Sequence, residues 1–300
     1  MQIGVEGSGV VVAVGSAVKN LKVGDEVYGF YVDKPIHKYP PPGFVSDYAL
    51  ARERFLLPKP AHVSFEEAAS LTGFVVTALQ VIRRGLELGG LDSLQGKTVF
   101  VPGALSGTGS VIIQVARNVF GAERIISTVS TPKLGLVEQY LPGMVDRVVD
   151  YTKGNVGQAV GGGIVDFAIN TQRTSLDDTI AVVNPREGVL VSIVDGFGKD
   201  TIREMVGPEK FNWLFALAVT VMNLYWRQWK LRGTSILYDG ISGSLGIRED
   251  MDKAGEIIAQ GKAKAVIRVV NLDDLDAVKK GCEEVRLSKG GIGKLVIKLV

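Results

Sequence analysis

Apolar positions along the 300-residue chain fall into two textures. Over residues 1–73, short β-branched runs at 10–18, 24–32 and 45–52 are cut by Gly, Pro and Asp, which reads as strands and turns. The proline run in 39–43 reads as a rigid loop. Over residues 74–232, contiguous apolar runs alternate with helical stretches. The runs at 97–103, 124–130, 146–151, 165–171 and 188–194 are rich in Val and Ile and do not alternate with polar residues. Strands buried on both faces look like this, as in a parallel sheet wrapped by helices. A helix over 110–120 links the first two runs into a βαβ unit. Residues 233–300 form a return segment. Across it and its approach, the pattern predicts a strand at 231–239, a helix at 249–260 and a terminal strand at 293–300.

Composition sharpens this picture in few places. Glycine, at 37 residues, is well above the usual share of roughly 7%. That suits the tight turns of an alternating β/α chain. With 34 basic and 32 acidic residues and no basic run, nothing favours a nucleic-acid partner. The single cysteine, Cys282, excludes an internal disulfide and a multi-cysteine zinc site. Its charged, helix-like surroundings fit an inert, partly buried thiol. Residues 1–14 lack a basic segment and read as a strand with Gly breaks, so a cytoplasmic protein is expected. The apolar stretch Phe211 to Trp226 is shorter than the roughly 20 residues that cross a bilayer. It reads as a buried or interface helix rather than a membrane contact.

The segment Val99 to Gln114 carries the candidate chemistry. A buried strand ends in a turn containing Gly103, Ala104, Ser106, Gly107, Thr108 and Gly109, which opens directly into a helix. Glycine lets backbone approach a ligand, and the first-turn N–H groups favour an anion. Ser106, Thr108 and Ser110 add hydroxyls, although Thr108 or Ser110 taken alone is better explained as a helix cap. A second strand follows at the spacing of a dinucleotide-binding unit. Its end, Thr128 to Lys133, lacks the Asp or Glu that bonds the ribose 2′-OH of NAD. Ser130 and Lys133 there favour the 2′-phosphate of NADP(H).

These residues, together with the opening Gly4–Gly15 and Val23–Val27 motifs, resemble the medium-chain dehydrogenase/reductase superfamily. Glu66–Ser70 with Thr77–Leu79, and the terminal run from Gly293, are similar to further family segments. The branch resembled is that of the zinc-free quinone oxidoreductases and enoyl reductases. The resemblance implies an α/β fold. A Rossmann doubly wound parallel sheet is inserted in a partial GroES-like β-barrel catalytic domain drawn from both ends of the chain. It further implies that Ser106, Gly107, Thr108, Ser130, Lys133 and Tyr151 line the NADP site. Zinc-dependent relatives have His where this chain has Val5, and neither His37 nor His62 fits a ligand motif, so no metal is expected. Family members carry a stretch of catalytic domain ahead of the motif that begins here at residue 3, so the sequence reads as N-terminally truncated.

The implied chemistry is hydride transfer from NADPH to an activated C=C bond or a quinone. Tyr48 and Thr77 are the available hydroxyl proton donors, and solvent serves equally well. Trp213, Phe215, Tyr225 and Trp226 suit a bulky apolar substrate. The run Leu231 to Leu237 resembles a strand that pairs in family homodimers. The alternative is a non-catalytic NADPH-binding protein or an inactive truncated homologue.

Overall fold

The computed structural model describes residues 4–30, 43–195, 199–244, 246–287 and 291–299. His37 and most of the proline loop lie outside these described residues. The chain forms two compact units. The first comprises Met1–Thr77, Ser106–Val111 and Ser244–Val300, and the second comprises Ala78–Leu105 and Ile112–Gly243.

The first unit begins with strands β1 (Glu6–Val10), β2 (Glu26–Phe30) and β3 (Leu56–Pro58), an antiparallel sheet in that order. Tyr28, Phe30, Phe55 and Leu57 bury their side chains at its centre. Helix α1 (Phe65–Gly89) starts in this unit and continues into the second. Ser64 caps it reciprocally: the Ser64 Oγ accepts from the Glu67 N–H while the Glu67 carboxylate accepts from the Ser64 N–H.

The second unit holds β4 (Thr98–Val101), most of α2 (Gly107–Asn118), β5 (Arg124–Val129), α3 (Leu136–Tyr140), β6 (Arg147–Asp150), α4 (Val156–Val160) and β7 (Phe167–Asn170). Then come α5 (Leu176–Val182), β8 (Val189–Ser192), α6 (Lys199–Val206), α7 (Trp213–Lys230) and β9 (Leu237–Gly240). The sheet runs β6-β5-β4-β7-β8-β9 and is parallel throughout. Counted within the unit, this is the order 3-2-1-4-5-6 of a doubly wound sheet, with its switch point between β4 and β7. One face packs Phe100, Ile126, Ala168 and Leu190 against Val156, Val160, Leu176 and Val182.

The chain returns to the first unit with α8 (Arg248–Ala259), β10 (Ile267–Asn271), α9 (Leu275–Arg286) and β11 (Lys294–Lys298). β10 and β11 pair in parallel, with α9 as their connection. Cys282 lies partly buried on α9.

Several expectations need correction. The run at 10–18 is not a strand beyond Val10, and Val10, Val12 and Val14 are all exposed. The run at 45–52 forms bends, with Leu50 91% exposed. β-branched composition fits a pleated surface but supplies no partner ladder. The first run is paired only at its start, where Val10 faces Glu26 and Val11 exchanges main-chain bonds with Asp25 and Gly24, and the second finds no ladder among the described residues. The strand expected from residue 231 starts only at Leu237, because Leu231–Thr234 closes a turn after α7 with Gly233 at φ 79°. The stretch 211–226 is helical from Trp213, and its large side chains are exposed, which overturns the buried half of the expectation and leaves its interface half.

Candidate functional site

The turn after β4 sits at the switch point of the parallel sheet. Gly103 has φ 75°, a region that a Cβ makes costly. Its N–H donates to Thr128 Oγ1 at 3.1 Å, and the N–H of Ala104 donates to the Thr128 carbonyl at 3.0 Å. Thr171 Oγ1 donates to the Pro102 carbonyl at 3.0 Å. The loop therefore leaves β4 tied to the ends of both neighbouring strands, β5 and β7. Ala104 and Leu105 are buried, which fixes the strand-proximal half of the loop.

The remaining half starts α2 within the first unit. Ser106 is the cap: its Oγ accepts from the Gly109 N–H at 3.0 Å, and its carbonyl accepts from the Ser110 N–H at 3.0 Å. Ser110 is fully buried and donates to the Gly107 carbonyl, so it is a structural hydroxyl. The N–H groups of Gly107 and Thr108 precede the first helical bond and stand at the positive end of the helix dipole. Gly107 has no room for a side chain, since a Cβ there would lie 2.6 Å from the Phe74 ring.

Beside this helix start is a polar cluster that sequence reasoning missed. Glu6, with its side chain 3% exposed, pairs with Lys294 and accepts from the Gly73 N–H at 2.9 Å. The Lys294 ammonium also lies over the Phe74 ring, 4.7 Å from its centroid. Tyr28 Oη and Thr72 Oγ1 are buried and without hydrogen-bond partners among the described residues. Burial, and then the charge of Glu6, raise the Tyr28 hydroxyl well above its ordinary range. Glu6 and Lys294 stand in two motifs quoted above, but only the fold joins them.

In the second unit, Ser130, Lys133 and Tyr151 gather at the ends of adjacent strands β5 and β6. Ser130 opens a 3₁₀ turn over Thr131–Lys133, and its carbonyl accepts from the Lys133 N–H at 2.8 Å. Burial pulls the half-buried Lys133 ammonium below the usual lysine range. Tyr151 is 52% exposed, with its N–H on the Val129 carbonyl at 3.2 Å. The structure adds an acid to this corner. Asp150, paired in register with Val129, accepts from Thr131 Oγ1 at 2.5 Å and from Thr152 Oγ1 at 2.6 Å. Those bonds, the one from Thr131 foremost, hold its carboxyl below the usual range. β5 lacks an acid, as its sequence shows, while its neighbour brings one alongside.

The two candidate proton donors are not equally placed. Thr77 lies partly buried on α1, whereas Tyr48 is 75% exposed on the bend segment. His62 is exposed. No group of three or more His, Cys, Asp or Glu stands ready to hold a metal ion among the described residues.

Comparison with known proteins adds to this geometry. The alcohol dehydrogenase GroES-like domain family matches residues 1–61. The chain is 41% identical over 152 residues to 2-methylene-furan-3-one reductase of Solanum lycopersicum, covering 51% of this chain and 37% of that protein. It is 37% identical over 153 residues to the chloroplastic NADPH-dependent alkenal/one oxidoreductase of Arabidopsis thaliana, with the same two coverages. The matched part thus spans well under half the length of each relative. The solved quinone oxidoreductase of Coxiella burnetii superposes over 99% of this chain and 79% of its own, with a TM-score of 0.70. At 21% identity that likeness speaks for the fold alone.

Proposed function

We propose that the chain is a member of the medium-chain dehydrogenase/reductase superfamily, a zinc-independent oxidoreductase using NADPH to reduce an activated C=C bond or a quinone, a reading that its matches to such proteins support. The observation that carries the reading is the segment from Gly103 to Ser110. It joins a positive-φ glycine tied to two strand ends with a serine-capped helix start whose leading N–H groups suit a phosphate.

The chemistry of the individual donors supports this cofactor. Gly107 and Thr108 offer main-chain N–H groups and Thr108 a hydroxyl to the pyrophosphate. Ser130 and Lys133 offer a hydroxyl and a half-buried ammonium to the 2′-phosphate. Tyr151 presents an aromatic face beside them. When bound, NADPH supplies the hydride. The chain's own groups bind and orient, and Thr77, less exposed than Tyr48, is the better placed of the two hydroxyls to hold a proton. The zinc-free reading rests on the residue inventory: Val5 precedes Glu6, and the chain has only two histidines and one cysteine. The names of the two plant relatives support an enone or enal as substrate class.

The test is direct. Purified protein is titrated with NADPH, then assayed for loss of reduced-nicotinamide absorbance with an α,β-unsaturated ketone, an enal and a benzoquinone. Saturable binding with turnover of at least one acceptor is expected. Absence of NADPH binding by the folded chain would overturn the proposal, and binding without turnover would mark a non-catalytic NADPH-binding protein.

A further inference from the structure

Helix α7 is built inside out. On a helical wheel, the arc facing the second unit carries Ala216, Val219, Thr220, Asn223, Arg227 and Lys230, mostly small or polar residues. Arg227 stacks over the Tyr238 ring at 5.0 Å and reaches Asp239 and the Asp195 carbonyl, while Lys230 pairs with Asp177. The large apolar side chains point the other way. Trp213, Leu214, Phe215, Met222, Tyr225 and Trp229 are each 57–71% exposed, and Leu217, Val221, Leu224 and Trp226 are exposed between them. Their outward arc covers roughly 220° of the helix, interrupted by one polar residue, Gln228.

An ordinary surface helix buries a stripe of about 100° and shows water its polar side. Here the polar side is spent on holding the helix to its own unit. We infer that the outward face of α7 docks on an anionic membrane surface, lying in the plane of the headgroup boundary. Three observations favour lipid over a second protein. The apolar arc is about twice the width that one packed partner helix covers, whereas lipid closes around an immersed helix from the sides as well. The face concentrates three Trp and one Tyr, side chains suited to the headgroup boundary. From Lys210 to Tyr238 there is no Asp or Glu, and the four cations there include Lys210 and Arg232, exposed near opposite ends of the helix. The Arg232 guanidinium lies over the Trp229 ring at 5.6 Å, on the apolar side. Burial of the apolar arc carries the contact, and the cations set the preference for negative headgroups.

All three tryptophans of the chain are on this helix, so their fluorescence reports on it alone. The experiment uses the full chain with vesicles of phosphatidylcholine, with and without a minority of phosphatidylglycerol. The expected result is co-sedimentation with the phosphatidylglycerol vesicles, a blue shift of tryptophan emission, and quenching by brominated lipid in the unmodified protein. The Leu214→Glu/Met222→Glu variant, checked for an unchanged thermal transition, should bind these vesicles about tenfold more weakly or worse. Failure to co-sediment, or lack of quenching by brominated lipid, overturns the inference. So does a concentration-dependent blue shift without lipid accompanied by a doubled mass, which would assign the face to a second copy.

Discussion

Glu6 and Lys294 stand 288 positions apart and form a buried ion pair that joins β1 to β11. The carboxylate is almost wholly removed from water and also accepts the Gly73 N–H. Removing one partner leaves the other charge uncompensated, a change that costs about 3–5 kcal/mol in comparable pairs. Lys294→Met is therefore expected to be strongly destabilising in urea titration, and Glu6→Leu/Lys294→Met to recover much of that loss. A single substitution without measurable effect would show that the pair is not closed in solution.

The cap and the cradle of α2 separate by chemistry. Ser106→Ala removes one side-chain bond and is expected to cost about 1 kcal/mol. Gly107→Ala places a methyl group into the Phe74 ring and should cost more, with a larger fall in NADPH affinity. Equilibrium unfolding and NADPH titration of the two variants give both rankings.

If the chain binds NADPH as proposed, Lys133 and Asp150 set the choice of cofactor. Lys133→Ala should weaken NADPH about tenfold while leaving NADH nearly unchanged, because only NADPH carries the 2′-phosphate. Asp150→Asn removes a negative charge from the same corner and should raise the NADPH-over-NADH affinity ratio severalfold. A ratio indifferent to both substitutions would place the adenosine end elsewhere.

Stability should fall at both ends of the pH range for assignable reasons. The hydrogen bond from Lys298, 2.9 Å from the carboxylate, is the main cause of a lowered Glu66 pKa. Its contribution is present above the unfolded carboxylate value and is lost as pH falls through the lower, folded one. Tyr238 is opposite in sign. Burial first, and then Asp195, which accepts its hydroxyl at 2.9 Å, raise its pKa. That contribution is whole below the ordinary tyrosine range and is lost as pH rises beyond it. Thermal melts across pH should show a weaker acid limb in Lys298→Met and a flatter alkaline limb in Tyr238→Phe.

Much of the sheet was legible along the chain because its strands are buried on both faces. The runs at 97–103, 124–130, 146–151, 165–171 and 188–194 each contain one observed strand, with ends shortened where residues turn into loops. The strand, loop and helix around Gly103–Ser110 were equally visible, although the helix starts at Gly107, three residues before the expected Ser110, because Ser106 caps it. What stayed hidden depends on neighbours in space. Thr128 holds the loop from a strand 25 residues away, and Asp150 reaches the β5 corner only because β6 pairs beside it. Length and apolar composition marked residues 211–226 as a helix but carried no information on which side faces outward. Composition alone suggested strands at 10–18 and 45–52, but among the described residues the first stays paired only as far as Val11 and the second has no partner ladder.

Gly103 and Gly107, four residues apart in one loop, exclude side chains for different reasons, and this sets different routes for genetic repair. At 107 the obstacle is a neighbouring ring, so a smaller residue at Phe74 opens the space for alanine. At 103 the obstacle is the residue's own backbone torsion, which no second site relieves. A suppressor screen should return changes at position 74 for Gly107→Ala and only true revertants for Gly103→Val.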